Sequence, residues 1–122
     1  MAKDLIILAS FLGLMASLAI AQNTGVRASD TMFSEADLDA RLRGATITFF
    51  DDGASRFFKD GRYTYTYAND GGTGYGYFEA TPNSTICISF VTGFSRCDTY
   101  VTDAQHRLVV ITETGDRFPV RP

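Results

Sequence analysis

Residues 57–78 read FFKDGRYTYTYANDGGTGYGYF. Aromatic rings recur at every second position through Tyr63, Tyr65 and Tyr67, and again at Tyr75 and Tyr77. A period of two sends alternate side chains to opposite faces of a strand. Asp60-Gly61 breaks the run before the tyrosines, and Asn69 to Thr73 breaks it after them. Asp, Asn and Gly tolerate the backbone of tight turns, so the stretch reads as strand, turn, strand, loop, strand.

The same rhythm holds over the rest of the chain from Ala45. Strands are predicted at 45–51, 54–59, 62–68, 74–80, 85–91, 94–102, 107–113 and 117–121. Every connection is short, so neighbours in sequence become antiparallel neighbours in space. The expected fold is mainly β: a meander of about eight strands forming a small barrel or strongly curved sheet, which limits exposed edges. Taking Asp52-Gly53 and Asp60-Gly61 as two-residue type I′ turns sets Phe49 opposite Arg56, Ile47 opposite Phe58, and Phe58 opposite Tyr63. One face then carries Ile47, Phe49, Phe58, Tyr63, Tyr65 and Tyr67. The threonine-rich face keeps two exceptions, Phe50 and Phe57, either covered by the N-terminal helix or exposed.

Upstream of the strands the composition changes. Leu5 to Ala21 is apolar apart from small residues and ends in Ala19-Ile20-Ala21. This is the layout of a secretory signal peptide, 1–21, cleaved after Ala21. The alternative is an uncleaved anchor, for which the run is at the short end of the roughly 17–25 residues a spanning helix needs. No cysteine follows and no twin arginine precedes it, which points to general secretion without a lipid anchor. Residues 22–31 are polar without a period, and 22–33 are expected to form a flexible leader. A single β domain with a short leading helix occupies 34–122. In that helix Ser34 caps, acids fill the first turn, arginines the last, and Gly44 stops it. Leu38 and Leu42 lie four apart on one face, too narrow a stripe for a free helix.

Cys87 and Cys97 are the two cysteines. In an exported chain an even count reads as a disulfide, and the C-x-x-C spacing of a metal or redox pair is missing. A three-residue loop Val91-Thr92-Gly93, with Gly93 as a left-handed bulge, sets Cys87 opposite Cys97. Ile86, Ile88 and Phe90 then share the other face. Eleven Lys and Arg stand against fourteen Asp and Glu, for a net charge of −3. With no basic run, this argues against nucleic acid and anionic membranes as partners.

Catalytic chemistry finds little support. His106 is the one histidine and falls in a turn. No G-x-S-x-G elbow and no alternating acidic calcium loop occur. Most aspartates sit at turns, where they bond their own backbone. Glu79 is the exception inside a strand, either inward and paired with Arg96 or outward on the rim. Asn69 to Gly74 is glycine-rich but does not open a helix, so it reads as a hairpin loop rather than a phosphate cradle. Asn83-Ser84-Thr85 matches the glycosylation sequon, which matters only in a eukaryotic secretory pathway. In Gly74-Tyr75-Gly76-Tyr77 each ring has glycine beside it, which either opens its face to a ligand or marks a bend at a barrel corner.

The order of features resembles a family of small exported bacterial β-domain proteins of unknown function. The residues that carry it are Gly44-Ala45-Thr46 after the helix, Lys59-Asp60-Gly61-Arg62, the aromatic strand Gly74 to Phe78, Ile86-Cys87-Ile88, and Arg96-Cys97-Asp98-Thr99-Tyr100-Val101. Where the family has tryptophan in the strand after the glycine loop, this chain has Tyr77 or Phe78. The resemblance implies export and a small β fold, and no catalytic residues. A looser similarity is to the periplasmic lysozyme inhibitors, whose inhibitory loop has no match here. The expectation is an exported, non-enzymatic binding or protein-interaction module, periplasmic or secreted. It is expected to be a monomer using no cofactor or metal, with an envelope protein or glycan as partner and no stable membrane insertion after cleavage. Its expected site is Tyr75, Tyr77 and Glu79 with the 69–74 loop. The alternatives are an enzyme inhibitor and a hydrolase using Glu79 and Asp98.

Overall fold

The elements run β1 (Thr31–Met32), α1 (Glu35–Leu42), β2 (Thr46–Thr48), β3 (Ala54–Phe57), β4 (Arg62–Thr66), β5 (Thr73–Thr81), β6 (Thr85–Phe90), β7 (Ser95–Thr102), β8 (Leu108–Ile111) and β9 (Arg117–Pro119). The structure, a computed structural model, describes residues 24–122. The expected signal peptide and its cleavage site therefore lie outside the described residues. Strands β2 to β9 pair in sequence order, each antiparallel to the next, as the expected eight-stranded meander. The sheet curls into a half-barrel. One bridge between Phe49 and Val120, and a hydrogen bond from the Arg121 amide to the Thr48 carbonyl, bring its two ends together.

Turn chemistry sets the register, and it corrects the expectation for the first two hairpins. Between β2 and β3 the loop is Phe50-Asp51-Asp52, with Asp52 at a left-handed φ of 74°. The Phe49 amide donates to the Gly53 carbonyl and the Asp52 amide to the Phe49 carbonyl. Between β3 and β4 the loop is Lys59-Asp60-Gly61, closed the same way, with Gly61 at φ 96°. Each is a three-residue loop ending in a bulge, not a two-residue type I′ turn. The added residue slips the pairing, so Ile47 faces Ser55, Phe57 faces Tyr63 and Ser55 faces Tyr65. A one-residue slip exchanges the two faces of a strand. Ser55 and Phe57 therefore point into the concave side, and Phe58 points out. Phe57 is fully buried, whereas Phe58 lies outside beneath the guanidiniums of Arg56 and Arg62, 4.3 and 4.8 Å from its centroid. Phe50 sits exposed on its loop.

The same loop class recurs at Val91-Thr92-Gly93, where the sequence placed it, with Gly93 at φ 97°. Cys87 faces Cys97, and the two are joined as a disulfide with Cα atoms 4.0 Å apart. Ile86 and Ile88 are buried on the opposite face. The clip closes a sequence separation of 10. Replacing both cysteines with serine is expected to cost about 2–3 kcal/mol in the chain-entropy account, a fall in Tm of roughly 10–20 °C. A Tm unmoved by reduction of the native protein would show that the clip constrains nothing.

Ser34 caps α1 by accepting the Asp37 amide, and the helix buries only Leu38 and Leu42. Those two join Ile47, Phe57, Phe78, Tyr100 and Val110 in the concave core. A second, smaller cluster lies on the convex side, where Val101, Val109 and Ile111 are buried under Val26. This differs from the flexible leader expected over 22–33, because from Thr24 onward the segment is docked. Gly25 and Gly115, both at positive φ, approach so closely that a Cβ on Gly25 would meet the Gly115 carbonyl oxygen at 2.7 Å. Asp30 takes both Arg117 guanidinium nitrogens, at 2.7 and 3.0 Å. Strand β1 then pairs with Val101 and Thr102.

Candidate functional site

The meander gathers four loops at one end: β2–β3, β4–β5, β6–β7 and β8–β9. Helix α1 occupies the other end, where the Gly44 amide bonds the Phe57 carbonyl at the end of β3. The end bearing the four loops opens into a cavity of about 470 Å³. Its wall is aromatic. Tyr65 lies 6.4 Å from Phe49 and 4.8 Å from Tyr67, and Phe90 stacks on Phe94 at 6.0 Å. Gly74 and Gly76 make this possible. A Cβ on Gly74 would press the Phe90 ring at 3.3 Å, and one on Gly76 would meet the Ser89 carbonyl. These glycines are buried or half-buried on the concave side and let β5 and β6 approach at a bend.

Deeper in, the lining turns polar. Ser55 Oγ and the Tyr63 hydroxyl share a hydrogen bond of 2.7 Å. Arg96 donates from Nε and Nη2 to the two oxygens of Asp98, at 3.0 and 2.9 Å. The two stand two residues apart on β7, hence on one face. Burial pushes the Tyr63 phenol up to about 12, although the Ser55 hydrogen bond pulls the other way. Burial also holds the Tyr100 phenol well above its ordinary value, so both remain neutral at physiological pH. The carboxylate of Asp98 raises the Arg96 guanidinium. Tyr100 is 4% exposed and lines the cavity, and among the described residues no buried side-chain polar atom lacks a hydrogen-bond partner.

Tyr75, Tyr77 and Glu79 share the convex face of β5 and are exposed. Tyr75 reaches the cavity rim. Tyr77 stands between Arg62 and Ser89, and Glu79 stands opposite Cys87. Glu79 is thus the outward residue of the two options, and Arg96 takes Asp98 instead. Glu79 and Asp98, the carboxylates considered for hydrolysis, lie on opposite faces of the sheet. His106 holds a bulge at φ 65° at the helix-bearing end. The 69–74 segment forms the β4–β5 hairpin at the mouth, with Asn69 and Asp70 both at φ 57°. Among the described residues no three His, Cys, Asp or Glu side chains gather as a metal site.

The sequence reading did not single out the polar group of Ser55, Tyr63, Arg96 and Tyr100. One signal for it was present. With Cys97 facing out beside Cys87, the alternation Arg96-Cys97-Asp98-Thr99-Tyr100 must send Arg96, Asp98 and Tyr100 inward. Fold and site together define a disulfide-clipped β half-barrel with a helix at one end and an aromatic cup at the other. No family model, curated protein or solved structure matches the chain.

Proposed function

We propose that this chain is an exported, non-enzymatic binding module of the cell envelope that takes a ligand with an apolar body into the aromatic cup. The observation that carries this reading is a cavity open on one side, walled by aromatic rings and lined deeper in by Ser55, Tyr63, Arg96, Asp98 and Tyr100. The cavity volume of about 470 Å³ falls within the 300–1,000 Å³ of small-molecule sites. Aromatic walls around a few convergent polar groups are the usual composition of such sites. A disulfide-bonded domain of this size fits an oxidising compartment, which supports export to the periplasm or beyond. Phe50, Tyr67, Phe94 and Phe118 stand exposed on or beside the mouth loops. That rim favours a second reading, in which a partner protein inserts a side chain, as the target of an inhibitor would.

The test is an amide-shift titration with small amphiphiles on wild type and Tyr100→Phe. Ligands are expected to move signals at Tyr65, Phe90 and Tyr100. The phenylalanine variant is expected to keep its stability and bind about 3–10-fold more weakly, the worth of one hydrogen bond. Shifts confined to Tyr77 and Glu79 on the convex face would overturn the cup as the site.

A further inference from the structure

Charge is distributed unevenly over the half-barrel. The four mouth loops, 50–53, 67–72, 91–94 and 112–116, carry Asp51, Asp52, Asp70, Glu113 and Asp116 and not one lysine or arginine. Two arginines lie near the cup, and each is already paired. Arg121 is 2.6 Å from Asp52, and Arg96 is bound through two bonds by Asp98. Asp51 is different. It lines the cavity, accepts the Gly53 amide at 2.8 Å, and has no cationic partner among the described residues. It lies close enough to Tyr65 to act on the charge of that phenol.

Around this carboxylate stand aromatic rings. Tyr65 meets Tyr67 edge to face, and Phe49 lies across from Tyr65. An aromatic face carries a negative quadrupole that attracts cations, most strongly where water is displaced. Neutral phenols keep that character, since ionised tyrosines are not needed to supply it. The cup therefore combines electron-rich faces with a carboxylate in its lining, Asp51, that has no cationic partner among the described residues. An anionic ligand would meet like charge at three of the four mouth loops.

We infer that the cup selects small organic cations, an ammonium group on an apolar stem, with Asp51, Tyr65 and Tyr67 holding the charged end. This rests on the cup being the binding site, and it adds the charge of the occupant.

Three probes with one hexyl body separate the two statements: hexyltrimethylammonium, hexanol and hexanesulfonate, titrated into the full chain by amide shifts. The cation is expected to bind about tenfold more tightly than the sulfonate, with hexanol between them. Asp51→Asn keeps the acceptor for the Gly53 amide and is expected to shrink the cation-to-sulfonate ratio to about threefold. Equal affinity for all three overturns the charge selectivity and leaves the cup as a binding site. Binding of none of them overturns both. A lysine- or arginine-bearing peptide that binds where hexyltrimethylammonium does not would overturn the small-cation assignment and make the occupant a protein side chain.

Discussion

Phe57→Ala is expected to cost about 3–5 kcal/mol, a large share of the 5–15 kcal/mol available to a domain of this size. The ring is fully buried and meets three others edge-on. Tyr63 and Phe78 lie at 5.1 Å and Tyr100 at 6.4 Å between centroids. Leu38 and Leu42 of α1 belong to the same cluster, so truncation opens a void that the helix cannot fill without leaving its own contacts. Phe58→Ala is the internal control. Its ring lies outside the half-barrel, under two arginines, where the interaction is worth about 0.5–1 kcal/mol. Urea unfolding of the two variants decides the matter. A Phe58 variant less stable than the Phe57 variant would mean that β3 is registered as two-residue turns would have it, with the opposite face inward. The loss also reaches the site, since Tyr63 and Tyr100 are both neighbours of Phe57 and both line the cup. Phe57→Ala is therefore expected to weaken ligand binding along with stability.

That register is where the sequence was hardest to read. The strands, their order and their antiparallel sense follow from the period of two and the spacing of turn residues, and the meander matches them. Asp-Gly, however, serves two turn types that differ by one residue. At Asp60-Gly61 the glycine takes the bulge, while at Asp52-Gly53 the aspartate does. Gly53 is needed for another reason, because a Cβ there would run into the Tyr65 hydroxyl. That demand comes from a strand twelve residues away and leaves no local mark. Around Cys87 and Cys97 the reading succeeded, because two cysteines that must meet admit one register. The glycines of Gly74-Tyr75-Gly76-Tyr77 were legible as a barrel bend, yet which side held the cavity was not. The tyrosines drew attention outward, while the cavity lay on the side of the missing side chains. The docked N-terminal segment was the least legible. Its one hint was Leu108-Val109-Val110-Ile111, an apolar run without alternation, and all four residues are buried. A strand buried on both faces needs a cover on each.

The cover is held by charge, and its removal is expected to be nearly as costly as the loss of Phe57. Asp30 has a fully buried side chain and accepts both Arg117 nitrogens and the Arg27 amide at 2.7 Å. The Arg117 guanidinium, 14% exposed, also donates to the Gly25 carbonyl at 2.9 Å. Asp30→Ala strands that guanidinium under the segment without a counter-charge, at an expected cost of about 3–5 kcal/mol. Adding Arg117→Met should recover most of it, because the charge that needed a partner is then gone. Hydrogen exchange should localise the damage, with Val101 and Val109 losing protection ahead of Phe78 and Ile88. Titration gives an independent check. The hydrogen bond from Arg117 holds the Asp30 carboxyl below its ordinary value and outweighs burial, which acts to raise it. A carboxyl depressed in the folded state adds stability that is in full force above its unfolded value, about 4, and that drains away as pH falls toward the folded value. The stability of wild type should therefore drop more steeply below about pH 4 than that of Asp30→Ala, and the two curves should converge in acid. Parallel curves over that range would show that Asp30 titrates alike folded and unfolded, and that the segment is held on β7 and β8 by Val26 and the glycine contact alone.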